Sequence, residues 1–160
     1  TQALGLMRYI FAALALALVS PTCNAGIRAS ELSIGGVVSG ATEASVVRRL
    51  GSPTKRVETG EGTELHYPDL VVTLGWLEQG TPGGQRRVLA ILGTGRNACT
   101  PKGLCPGMPS SAAARLYGST KPTLRETGTF LEYRPNNVSC WLQISAPADV
   151  IQSVGVACQP

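Results

Sequence analysis

The chain repeats itself, and that restricts how it can fold more than any other feature. "VVRRLGSPT" (Val46 to Thr54) returns in altered spelling as "AARLYGSTK" (Ala113 to Lys121). The match widens around this phrase: "GATEASVVRRLGSP" (Gly40 to Pro53) sits over "GMPSSAAARLYGST" (Gly107 to Thr120), which aligns Gly40 with Gly107, Arg48 with Arg115 and Gly51 with Gly118. Two more matches follow in the same order, "GTELHY" (Gly62 to Tyr67) over "GTFLEY" (Gly128 to Tyr133) and "VLAILG" (Val88 to Gly93) over "VIQSVG" (Val150 to Gly155). Self-similarity of this kind points to one supersecondary unit used twice. A chain of 160 residues has room for one domain or for two small units that share a core.

The first repeated phrase reads as a short helix. Thr42 offers a capping hydroxyl, Glu43 suits the positive end of the helix dipole, and Gly51 can take the left-handed conformation that ends it, with Pro53 forbidding continuation. Val46, Val47 and Leu50 fall on one face. In the second copy Pro109 occupies the capping slot, so Ser110 is the expected cap. Strand composition follows in each half: Glu64 to Tyr67, Leu70 to Leu77 and Arg86 to Leu92, then Phe130 to Tyr133, Val138 to Ser145 and Val150 to Ala157. The separators "EQGTPGGQ", "RPNN" and "APAD" carry turn residues. Such close spacing makes antiparallel meanders, because parallel strands need long crossovers. The expected fold is α+β: two tandem repeats, each a short helical segment followed by a three- or four-stranded meander, with the helices packed on one face of the sheet. "LSIGGVV" (Leu32 to Val38) reads equally as strand or short helix. The expected divisions are 1–25, 26–98 and 99–160.

The aliphatic, glycine and capping pattern followed by a short helix ending in "LGSP" resembles the repeat of the β-lactamase inhibitory proteins. It is also similar to the single unit of the small lipoprotein of the outer-membrane β-barrel assembly machine. "VVSGATEASVVRRLGSP" is the closer copy and "LCPGMPSSAAARLYGST" the weaker. The resemblance implies an exported tandem repeat whose helices lie on one side of a continuous curved sheet while the other side binds a partner. No contact residue of those inhibitors is carried over.

Residues 1–25 read as a leader. Arg8 follows Met7, "YIFAALALALV" (Tyr9 to Val19) is an apolar run shorter than the roughly 20 residues of a membrane span, and "CNA" (Cys23 to Ala25) supplies small residues for cleavage after Ala25. Thr1 to Leu6 precede the start methionine of this reading. A lipoprotein anchored through Cys23 is the rival, disfavoured because "SPT" lacks the small residue expected before such a cysteine. The remaining cysteines, Cys99, Cys105, Cys140 and Cys158, are even in number in an exported chain and favour two disulfides, with three connectivities open. Cys99 with Cys105, closing "CTPKGLC", leaves Cys140 with Cys158, although a tight turn at "APAD" would set that second pair out of line. Without paired CxxC spacing, zinc is disfavoured.

The net charge of +4 is scattered and interleaved with acidic residues, which speaks against a nucleic-acid footprint. Alternation assigns Val72, Leu74, Trp76, Val138, Cys140, Leu142 and Ile144 to the helix side, joined by Leu65, Tyr67, Leu131, Tyr133, Val88, Leu92, Val150 and Val154. The other side then holds His66, Phe130, Glu132, Val71, Trp141, Gln143, Leu89, Ile91 and Ile151. That is an unusually apolar set for a solvated sheet face and reads as a partner-binding surface, with Trp141 as its anchor. The chain has one histidine, His66, and no nucleophile motif around it. "GTGRNACTPKG" (Gly93 to Gly103) lacks the lysine and threonine of a phosphate loop. The expectation is a non-enzymatic periplasmic or secreted module without cofactor or metal. It binds another protein through its open sheet face, as an inhibitor or immunity protein would. A structural accessory of the cell envelope is the alternative.

Overall fold

A computed structural model describes residues 26–76 and 84–159. The leader, the Cys23 alternative, Leu77 and most of "EQGTPGGQ" therefore lie outside the described residues.

A 3₁₀ turn at Ala29–Glu31 leads into a hairpin of β1 (Ser33–Ile34) and β2 (Val37–Val38). Helix α1 (Glu43–Leu50) precedes β3 (Lys55–Thr59), β4 (Gly62–His66), β5 (Leu70–Gly75) and β6 (Arg87–Gly93). Helix α2 (Ser111–Tyr117) precedes β7 (Thr123–Arg125), β8 (Gly128–Tyr133), β9 (Cys140–Ser145) and β10 (Ser153–Cys158). The last eight strands form one antiparallel sheet in the order β3-β4-β5-β6-β10-β9-β8-β7.

Local chemistry sets the helix ends. The Ser45 amide donates to Thr42 Oγ1 at 3.2 Å, and Gly51 stops α1 at φ 83° while its N–H reaches the Val47 carbonyl. Gly118 ends α2 at φ 89°. Tyr67 then donates its hydroxyl to the Gly51 carbonyl at 3.2 Å and Tyr133 to the Gly118 carbonyl at 2.9 Å, so the aligned phrases make like local contacts. Ser110 does not cap α2 as expected. Its own backbone is helical (φ −57°, ψ −30°), and the Ala112 amide is taken up by the Pro109 carbonyl instead.

The expected architecture of two helix-roofed meanders is corrected. Among the described residues the fold is mostly β, an eight-stranded sheet and the β1–β2 hairpin with two short α-helices. Of the helical residues, only Val46 in α1 and Ala112, Ala113 and Tyr117 in α2 are buried, too little apolar surface to roof a sheet of this width. The hairpin β1–β2 and the Ala98 to Leu104 loop lie over β6 and β10 at the sheet's centre. The Gly35 amide donates to the Cys99 carbonyl, and a Cβ on Gly93 would stand 2.5 Å from Ala98 Cβ and 2.9 Å from Ile34 Cγ2. Gly93→Ala is therefore expected to cost about 2 kcal/mol by overpacking. The control Gly60→Ala, where nothing lies within 4 Å, should leave the urea midpoint unchanged.

The core lies on this covered face: Leu65, Val72, Leu74, Val88, Leu142, Ile144 and Val154 are buried there beneath Leu32, Ile34 and Val37. Four inward assignments fail, each for a local reason. Trp76 (46% exposed) follows the end of β5, and Val138 (41%) precedes β9, beyond a turn in which Asn137 has φ 62°. Val150 (48%) lies in the β9–β10 connection, outside the alternation, and Leu92 (50%) is turned outward by a bulge. At that bulge the β5–β6 register slips between Thr73 and Leu74, so Leu89 is the extra residue, Ile91 turns inward and Leu92 outward.

Both disulfides are formed, Cys99–Cys105 and Cys140–Cys158. The turn at "APAD" is not tight: the connection runs over 146–152, with Ala148 and Asp149 at φ 55° and 61°, and sets Ser145 opposite Ser153 and Cys140 opposite Cys158.

Candidate functional site

The cross-strand register places the side chains of the uncovered face in rows. One row runs Trp141, Ala157, Ala90, Thr73, Glu64, Val57 from β9 to β3. The next runs Glu132, Gln143, Gly155, Leu92, Val71, His66, Lys55 from β8 to β3. Between them the middle of the sheet carries Ala90, Gly155 and Ala157, so the floor is low. Taller side chains rise on either side: Phe130 and Gln143 toward β8 and β9, Glu64, His66, Val71 and Leu92 toward β4 to β6. The result is a groove of about 350 Å³ over the junction of β6 and β10.

The residues assigned to this face from the sequence divide as follows. Phe130, His66, Gln143 and Val71 line the groove, and Leu89, the bulged residue, lies in a neighbouring depression with Trp76 and Glu61. Ile91 is corrected: after the bulge its side chain joins the core, 2% exposed. Ile151 is corrected as well, since it belongs to the connection before β10 and is buried, 1% exposed. Trp141 sits on the expected face, but it is not an exposed anchor. Only 7% of it reaches solvent, because Arg134 lies 4.0 Å and Arg125 5.6 Å from its ring centroid. Its indole N–H is buried with no acceptor among the described residues.

Those two arginines belong to a charged network that the sequence reading missed. Glu132, its side chain 5% exposed, accepts from Arg125 Nε at 2.8 Å and Arg125 Nη2 at 2.7 Å. It accepts also from Gln143 Nε2 at 3.0 Å and Arg134 Nη2 at 3.1 Å. The bidentate Arg125 contact, then Gln143 and Arg134, hold the carboxyl down to about 2 against the opposing cost of burial. The available signal was position. Arg134 directly follows the last residue of β8, next to the Tyr133–Leu142 pair, which brings it opposite Trp141. Arg125 was hidden because β7 is a three-residue edge strand with no apolar alternation.

At the opposite wall His66 Nε2 stands 2.9 Å from Glu64 Oε2, two groove residues at i and i+2 on one strand face. The Thr54 hydroxyl donates to the His66 backbone carbonyl at 2.9 Å, and no hydroxyl or thiol among the described residues is hydrogen-bonded to the His66 ring. No group of three or more His, Cys, Asp or Glu among them could hold a metal ion. No described helix is long and apolar enough to cross a membrane.

No protein-family model and no curated protein matches the chain. Two solved structures are similar in fold. A cysteine-rich secretory protein from Staphylococcus aureus matches at TM-score 0.51 with 9% identity, over 76% of this chain and 43% of that one. An extracellular protein containing a SCP domain from Bacillus anthracis matches at TM-score 0.52 with 8% identity, over 84% of this chain and 46% of that one. The chain thus spans less than half the length of each. These neighbours are neither β-lactamase inhibitory proteins nor assembly-machine lipoproteins, and the resemblance read from the repeated phrase is corrected accordingly. A cap, a glycine stop and a following strand encode local geometry that unrelated antiparallel folds use.

Proposed function

We propose that the protein is an exported binding module that holds a segment of another protein in the groove on the uncovered face of its sheet. The observation that carries the reading is the asymmetry of the two faces. One is closed by the β1–β2 hairpin and the Ala98 to Leu104 loop, whereas the other leaves a groove with half-exposed Leu92 at one wall. A sheet face open to solvent is ordinarily polar throughout, and an apolar floor flanked by convergent polar groups suits recognition. Export is supported by the two disulfides, which persist in oxidising compartments, and by similarity in fold to a cysteine-rich secretory protein and an extracellular protein. Binding is favoured over catalysis because the His66 ring is engaged by Glu64 and, among the described residues, by no hydroxyl or thiol.

Site-specific photo-crosslinking in the native extract tests this. A benzoylphenylalanine at Leu92 should give a discrete adduct that the same probe at Leu124, 79% exposed on edge strand β7, does not give. Identical adduct patterns from both positions, or none from either, would refute the groove as the contact surface.

A further inference from the structure

We propose that the Arg125–Arg134 pair at the β8–β9 end of the groove receives a carboxylate from an acidic peptide segment. The inference deepens the groove reading and rests on it. Two guanidinium groups here share one carboxylate, and Glu132 is already engaged by both of them and by Gln143, so the cluster carries an excess positive charge. The arginine side chains are not spent in the same way. They remain 38% and 49% exposed, and Arg125 Nη1 and Arg134 Nε and Nη1 are uncommitted among the described residues.

What separates this pair from ordinary surface arginines is that both are fixed. Glu132 anchors them from below, and the Trp141 ring lies within 5.6 Å of one guanidinium and 4.0 Å of the other. A guanidinium held in place loses less side-chain entropy when it binds an anion, and planar forks match carboxylates. Gln143 ties the pair to the groove, since it lines the groove while donating to Glu132. An extended backbone running over Ala90, Gly155 and Ala157 could therefore deliver an Asp or Glu side chain to the arginines. The basic excess that remains once the leader's Arg8 is set aside favours encounter with an acidic partner.

The test uses the full chain and a fluorescein-labelled acidic decapeptide, its Asn/Gln counterpart, and inorganic phosphate as competitor, read by anisotropy at low salt. The acidic peptide should bind saturably and at least about tenfold more tightly than the amide version. Arg134→Gln should weaken it about tenfold while the circular dichroism spectrum and a single cooperative melt are retained, Arg134→Lys should be intermediate, and added salt should weaken binding. Equal binding of the acidic and amide peptides would overturn the charge assignment and leave the groove reading intact. Full displacement by millimolar phosphate would reduce the pair to a free-anion site and overturn the peptide assignment. No binding of either peptide, with the Leu92 adduct still formed, would overturn this inference alone, whereas loss of that adduct would remove the groove reading beneath it.

Discussion

Replacing Cys140 and Cys158 together by serine is expected to lower the stability of the chain by about 3 kcal/mol, and the same change at Cys99 and Cys105 by about 2 kcal/mol. The difference follows from loop length. The first bridge closes a span of 18 residues and the second a span of 6, so the first removes more freedom from the unfolded chain. Position acts in the same direction. Cys140–Cys158 joins directly opposite residues of β9 and β10, and β10 is the strand through which β7 to β9 connect to β3 to β6. Cys99–Cys105 instead closes a loop that the Tyr117 hydroxyl already holds through Thr100 Oγ1 at 2.7 Å, and that Lys102 holds through Glu31 at 3.0 Å. Urea melts of both double variants should show the Cys140/Cys158 variant with the lower midpoint, and thermal melts should place it about 10 °C below the parent. The reverse order, or equal losses, would show that the bridge at the sheet's centre does not govern global unfolding.

How much of this was readable in the sequence depends on what each residue contacts. Thr42 and Gly51 act on their own backbone, so the α1 boundaries were legible from them. Leu65, Val72, Leu74, Leu142 and Ile144 alternate in uninterrupted stretches of strand, and their burial followed from period two. Alternation broke where the backbone did. The bulge at Leu89 exchanged Ile91 and Leu92, and strand ends misplaced Trp76, Val138 and Val150. The edge strands β3 and β7 carry charged, exposed residues, as unpaired edges commonly do, and have no apolar pattern to find. The closing of the inner face by β1–β2 was out of reach because two-residue strands carry no period. For the site, the low groove floor and the His66 wall follow from register. The burial of Trp141 does not, because it results from arginines at the end of β7 and just past the end of β8, two strands removed from and adjacent to its own, joined through Glu132.

Glu132 gives the second large effect, and its sign is fixed by the direction of its titration. The folded chain holds this carboxyl at about 2 rather than 4.5, so the folded state binds the proton less readily than the unfolded chain does. The resulting stabilisation is fully present above pH 4.5 and is lost as pH falls through about 2. Discounted for solvent screening at the half-exposed arginines, the drop corresponds to about 2 kcal/mol at neutral pH. Glu132→Gln keeps the shape and one acceptor but removes the charge that Arg125 and Arg134 share. The two guanidinium groups are partly exposed and can turn to water, so the expected loss at pH 7 is about 2 kcal/mol rather than the larger cost of stranding buried cations. Parent and variant should therefore differ most above pH 5, and their unfolding free energies should converge as pH approaches 2. The Trp141 environment should change over the same range in the parent alone, because the arginines over its ring are held there by the ionised carboxylate. Parallel pH profiles with a constant gap would mean that Glu132 contributes packing and not charge. In that case the arginines over Trp141 would be held by the ring itself.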